Sequence, residues 1–420
     1  MQLLRDLVDA PQRPVPQIGV EAESVPTALW DGDYWQNFQE VEEARRQSCP
    51  VRRERLPDGA MAWIVYGHGP AREALRHPDL RRDADEIQRI MRRYLGPDAP
   101  LSGMFTKSAM LSDGTDRERL LTPLKAHFTP RLLKRLEPRV ESITADILDG
   151  LDTGADVVDL MQAVAFPLPI AVLAELLGLP EAERPQLRWW TSALMGRDPD
   201  AVGRAGAELT AYFQRLVSAR RRNPGDDVVS ALVRAHDGGT LDDDEVLGTL
   251  FLLLVAGHET TMNLIGNGAH ALLSAGMWAE LAEDPSSMDQ VVNELLRLDS
   301  PVRFTPHRYS ATDVTIAGIT IPADEIVLVA LGSANRDPDK FGENAGTLDI
   351  RRADAAAHVA FGHGPRYCLG APLARVEGAV ALRELTRRWP LAELATDRPH
   401  LREHAVLMSG WQSLRVRLRP

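Results

Sequence analysis

The sequence predicts a mainly α, α+β fold, in which a helical body carries a small strand-rich part. Three observations carry this. Apolar residues recur at helical spacing from about Asp116 to Asp237. A long apolar stretch with acids at its start, Asp242 to about Ser274, reads as one helix, about 45 Å long at 1.5 Å per residue. The period then switches to alternation in "VTIAGITIPADEIVLVAL", Val314–Leu331, which reads as short strands joined by turns. The chain has 420 residues, 44% hydrophobic and 26% charged, a globular profile without a low-complexity linker. A single domain over 1–420 is expected, its strands mainly within 51–67 and 302–331.

In chain order, a Pro-rich start gives way to a helical "YWQNFQEVEEARRQ" before Val51. "AWIVYG", Ala62–Gly67, reads as a strand. "GPAREALRHP" then opens a helix, with Pro70 placed in its first turn. In "PRLLKRLEPRVESITADILDGL" the residues Leu133, Leu136, Val140, Ile143 and Ile147 share a face, and Pro138 marks a kink or a late start. Asp242-Asp243-Asp244-Glu245 places acids at the positive end of the long helix. That helix is apolar all round at its centre and should be buried. Further helices are expected over Met288–Leu298 and after Cys368, and a closing strand within Gly410–Leu418.

A formal net charge of -12 gives no sign of a nucleic-acid partner. The two cysteines, Cys49 and Cys368, cannot build a disulfide framework or a four-cysteine metal site. A reducing, cytoplasmic compartment is the economical reading. "MQLLRDLVDAPQ" carries charges inside any apolar stretch, so no signal peptide is read there. The longest apolar run, Thr249–Gly257, is too short to cross a bilayer.

"YGHGP" at Tyr66 and "FGHGP" at Phe361 repeat four residues, and each reads as a turn from extended chain into a helix. The two strings lead into different sequences. After Phe361 comes "RYCLGAPLARVE", which puts Cys368 at a helix N-terminus with Arg366 nearby. Unpaired N–H groups and the dipole there favour thiolate. Such a thiolate could be a nucleophile, a redox thiol or a metal ligand; the bland alternative is a small buried hydrophobe. In "AGHETT", Ala256–Thr261, Glu259 and Thr260 are costly inside a buried helix without partners. Thr260 could simply bond back to the preceding turn.

"FGHGPRYCLG" matches Phe-Gly-x-Gly-x-Arg-x-Cys-x-Gly at every fixed position and resembles the heme-binding loop of the cytochrome P450 superfamily. "AGHETT" resembles that family's oxygen-activation motif, and Glu294–Arg297 its Glu-x-x-Arg. The same spacing at Glu73–Arg76, Glu86–Arg89, Glu181–Arg184 and Glu384–Arg387 reads as ordinary helix-surface pairs. The resemblance implies a triangular helical body with heme b between the long helix and the helix after Cys368. It implies Cys368 as the iron ligand, with Phe361 shielding the sulfur and Gly362 and Gly370 shaping the loop. Arg366 and Arg308 would meet heme propionates. Ala256 and Gly257 would leave room for dioxygen, with Thr260 and Glu259 managing protons. Glu294 and Arg297 would form a buried structural clamp. Leu252, Val255 and Ala256 would line the substrate pocket, with Phe304 and Met408 as further candidates. Trp189 and Trp190 fall in the helical region that forms part of the lid.

Two departures stand out. Relatives carry a His and, four positions on, an Arg toward the propionates; here these are Arg117 and Leu121. Leu121 cannot bind a carboxylate, and Arg119 is a possible substitute. The meander after Phe341 lacks the Arg that often completes the clamp. The implied activity is a bacterial-type monooxygenase of secondary metabolism that hydroxylates, epoxidises or oxidatively couples a small molecule. Its electrons would come from NAD(P)H through ferredoxin reductase and ferredoxin, and the protein would be a monomer. Lys125, Arg131, Lys134 and Arg135 are a candidate docking patch, or else a solvated face. The rival readings are a peroxygenase on the same scaffold and a heme-binding or partner-recruiting protein without turnover.

Overall fold

The long apolar stretch folds as one helix, Asp243–Ser274, and the body is arranged around it. The computed structural model describes residues 30, 32–96, 107–151, 157–194, 198–396, 398, 400–402 and 405–419. The helix begins with a reciprocal cap: the Asp242 carboxylate accepts from Glu245 N (2.7 Å), and the Glu245 carboxylate accepts from Asp242 N (2.9 Å). The helix Ala371–Arg388 packs on its C-terminal half. A Cβ on Gly378 would meet Leu264 at 2.8 Å, and one on Gly268 would meet Leu382 at 3.1 Å. Residues 264 and 268 therefore oppose 378 and 382 in the same order, so the two helices run parallel. Extending that register backwards brings Cys368, just ahead of Ala371, level with the Leu252–Gly257 stretch of the central helix.

The clamp helix Met288–Leu298 has the bounds that the sequence predicts. Pro138 lies inside a continuous helix, Pro130–Asp149, rather than at a late start. The strand-rich part forms a five-stranded sheet in the order Val51–Arg55, Met61–Val65, Ile326–Val329, Arg308–Ser310, Leu80–Arg81. Its second and third strands are parallel and its other pairs antiparallel. Val314–Ile316 and Ile319–Ile321 form a separate hairpin. The expected closing strand is Arg415–Arg417, between Val158–Asp159 and Glu393–Leu394. The Pro-rich start lies outside the described residues. Among the described residues, no helix is long and apolar enough to cross a membrane.

Candidate functional site

The Cys368 loop is built by backbone bonds that need glycine. Gly362 N donates to Val359 O (2.8 Å), Tyr367 N to Gly364 O (3.0 Å) and Cys368 N to Phe361 O (3.0 Å). Gly362 and Gly364 stand at φ +75° and +74°, where a side chain is strained. A Cβ on Gly364 would also approach Arg76 Cγ to 2.7 Å. Arg76 ends the helix His68–Arg76, which starts at the first Gly-His-Gly-Pro string. On the same helix, Arg72 Nε donates to His363 Nε2 (3.3 Å). The two look-alike strings thus touch: the helix launched by the first braces the loop formed by the second.

The Cys368 side chain is accessible, although protein surrounds it at longer range. Burial pushes the thiol up, while the N–H groups of Gly370 and Ala371 and the Arg375 guanidinium pull it down. Arg375 lies 4.5 Å from the centre of the half-buried Phe361 ring and donates to Tyr367 Oη and Asn293 Oδ1. Across from the loop, the central helix has a window. Every residue from Thr261 to Ala269 is buried, but Ala256 is exposed, and Leu252, Val255, Gly257, Glu259 and Thr260 are part-exposed. Thr260 Oγ1 donates to Ala256 O (2.7 Å). His258 is buried away from the window, with its ring edge-on to Phe166 and Nε2 3.3 Å from Phe166 O. Burial lowers it to about 4.

Beside the loop lies a nest of arginines, Arg82 and Arg308 buried and Arg117 and Arg366 half-buried. Arg366 Nε donates to Asp113 Oδ1 (3.0 Å), Arg117 to Pro365 O (3.1 Å) and Arg308 to Leu80 O (3.0 Å). Arg82, absent from the sequence expectations, joins them through its backbone N–H to Asp113 Oδ2. Nε of Arg82, Arg117 and Arg308 is buried without a partner. Burial and then repulsion from Arg366 bring Arg308 down to about 10. An accessible thiol level with an accessible helix face, with a nest short of anions beside it, fits heme b. The thiol suits iron, and the nest suits the two carboxylates of its rim.

The clamp is larger than expected. Glu294 and Arg297 are both 0% exposed, with Arg297 Nε 2.6 Å from Glu294 Oε2. Arg352 joins them, its Nε 3.2 Å from Glu294 Oε1 and its other nitrogens on Phe341 O and Asn344 O. This corrects the expectation that the arginine is missing: it stands just past "LDI", on a turn closed by Arg352 N to Asp349 O. Glu86–Arg89 and Glu384–Arg387 are surface pairs, as read.

Other expectations change too. Arg119 does not replace Leu121 in the nest, because Glu245 holds it with two bonds of 2.6 and 2.7 Å. Phe304 is 0% exposed and packs on Trp30, so it belongs to the core beneath the sheet rather than to an accessible wall. Met408 is half-buried and bridges to Val302. In the helix Arg184–Leu194, Trp189 is exposed, while Trp190 is buried and donates to Glu208 (2.9 Å). Lys125 pairs with Glu118, which leaves it less free to dock a partner. The side chains of Arg131, Lys134 and Arg135 lie outside the described residues.

The cytochrome P450 family model matches residues 285–417. The chain is 39% identical to Cytochrome P450 107B1 of Saccharopolyspora erythraea, over 89% of its own length and 93% of that protein's. It is 40% identical to the Vitamin D(3) 25-hydroxylase of Pseudonocardia autotrophica, over 93% and 96%. Among solved structures, it superposes on the tirandamycin C-bound monooxygenase TamI with a TM-score of 0.85 at 37% identity. That match covers 94% of this chain and all of the other.

Proposed function

The chain belongs to the cytochrome P450 family, and from that premise we propose how its own residues divide the work. It is a heme-thiolate monooxygenase with heme b as cofactor, acting on a small organic molecule with electrons from redox partners. Cys368 would ligate the heme iron in this reading. The observation that carries it is the accessible thiol held between the Gly370 and Ala371 N–H groups, level with the open window of the central helix. When bound there, the heme supplies dioxygen activation, which a thiolate ligand favours. Arg308, Arg117 and Arg366 would hold its carboxylates, and the Phe361 ring would screen the sulfur from water.

Thr260 is the proton donor on the window side. Its hydroxyl rests on Ala256 O and can turn outward at the loss of one neutral hydrogen bond, about 1 kcal/mol. Glu259, one residue back and part-exposed, passes protons from solvent. Leu252, Val255 and Ala256 give the apolar wall. Together with relatives whose names carry vitamin D(3) and tirandamycin C, this favours a bulky, mostly apolar product of secondary metabolism. Ferredoxin and its reductase are the proposed electron source, since two cysteines cannot hold a four-cysteine cluster within the chain. One domain acting as a monomer completes the reading.

The test is the absorption spectrum of the reduced protein under carbon monoxide. The wild type should show the long-wavelength Soret band of a thiolate-ligated heme, and Cys368→Ser should lose it. A short-wavelength band from fresh wild-type protein overturns the assignment of Cys368.

A further inference from the structure

The arginine nest holds one member that no family motif placed there. We propose that Arg82 takes the carboxylate-binding role that Leu121 leaves open, closing its guanidinium on a heme propionate. The inference rests on the heme reading above and concerns this chain's own residues.

Arg82 directly follows the strand Leu80–Arg81, which pairs with Arg308–Ser310. Arg308 Nη1 holds Leu80 O, and the Arg82 N–H binds the same Asp113 carboxylate that Arg366 grips. Backbone and side-chain bonds thus tie Arg82 to two other nest arginines. Its neighbour Arg81 is exposed and pairs with Asp79, so the chain directs only the second arginine inward.

Arg82 is 8% exposed and its buried Nε has no partner. The charges that act on it most are Arg308, Arg366 and Arg117, with Asp113 opposing them. His307 also faces it and stays neutral, because burial and Arg82 push it down to about 4. Both oxygens of Asp113 are engaged, one by Arg366 and one by the Arg82 backbone. Asp83, next in the chain, is spent capping the helix Ala84–Leu95 through Asp85 N and Glu86 N. Four guanidinium groups, Arg82 and Arg308 buried and Arg117 and Arg366 half-buried, outnumber the carboxylates beside them among the described residues, and that is not a stable arrangement by itself. Two further carboxylates from the ligand offset two of these charges, and Arg offers each a planar fork. Leu121, one turn beyond Arg117 on the helix Gly114–Lys125, explains why a replacement is needed.

The test measures heme transfer from the ferric holoprotein to excess apomyoglobin, with resonance Raman of the propionate bending modes beside it. Arg82→Leu should lose heme about tenfold faster or more, in the range seen when outer partners of a bound metal group are removed. Its propionate modes should shift. The long-wavelength carbon monoxide band should persist, because Cys368 is untouched; its loss in the wild type would fault the Cys368 reading, not this one. Adding Leu121→Arg should slow the loss again and restore the modes. A heme-loss rate in Arg82→Leu equal to wild type overturns the proposal. So does a faster loss that Leu121→Arg leaves unchanged, since that pattern marks a purely structural arginine. If Arg82→Leu cannot be isolated folded, Arg82→Gln is read by the same two criteria.

Discussion

Thr260 shows how one hydroxyl can serve both helix and chemistry. Its bond to Ala256 O satisfies it inside the helix, and the open face beside it leaves room to donate elsewhere. Thr260→Ala should keep the fold and keep consuming reductant while electrons leak to peroxide. Product per electron should fall about tenfold or more, given what positioned proton donors contribute, and Thr260→Ser should recover most of it. Measuring peroxide and product together checks this, and full coupling in the alanine variant counts against the assigned role. At this scale the sequence was legible where spacing is rigid. The ten-residue run around Cys368 occupies one loop and the six around Thr260 less than two helix turns, so side-chain positions follow from the string. Arg82 was not legible, because nothing local distinguishes it from Arg81. Which of two adjacent arginines turns inward depends on Asp113 and on the strand Arg308–Ser310, both far away in sequence.

Among elements, the clamp joins the helix Met288–Leu298 to the meander. Arg297 reaches Asn335 O, Ala345 O and Thr347 O, while Glu294 takes Arg352 and the Asp349 N–H. Removing one partner strands buried charge, so Glu294→Gln should cost about 3–5 kcal/mol. Glu384→Gln, in an exposed pair of the same spacing, should stay within about 0.5 kcal/mol. Urea unfolding of the two variants makes the comparison, and equal effects would refute it. Gly364→Ala should weaken the cysteine loop twice over, by φ +74° and by crowding Arg76. Its expected signature is a lowered Tm with faster heme loss, whereas Gly239→Ala, at a similar φ in open space, should lower Tm only slightly. Helix bounds were readable from caps and periodicity, as the Asp242–Glu245 box illustrates. Arg352 was missed because the meander is irregular: a turn at Asp349 carries the chain back to Glu294, and no period announces it.

For the whole molecule, burial of neutral histidines sets a pH dependence. His258 and His270 are held at about 4, mainly by burial, against 6.5 when unperturbed. Below 6.5 the unfolded chain takes protons that the folded one refuses until about 4. Stability from these groups is therefore complete above pH 6.5 and lost as the pH falls toward 4, by at most about 3 kcal/mol for His258. The guanidinium midpoint should drop between pH 7.5 and 4.5, and His258→Gln should flatten that slope; an unchanged slope would show that His258 is not the source. The α+β class and the central helix were legible because each is written over many residues. The contact between the two Gly-His-Gly-Pro segments was not, because neither string says where the other will lie. That contact bears on how the protein is made. Arg72 and His363 are 291 residues apart, so the brace leaves the ribosome long before the loop it supports. Contacts of such separation form late. The nascent chain must therefore hold its early sheet and helix ready, and the cysteine loop reaches its final shape only once nearly the whole chain has been synthesised. Loading of the cofactor is in that case a closing step of biosynthesis, and truncation anywhere before Phe361 leaves the N-terminal brace with nothing to support.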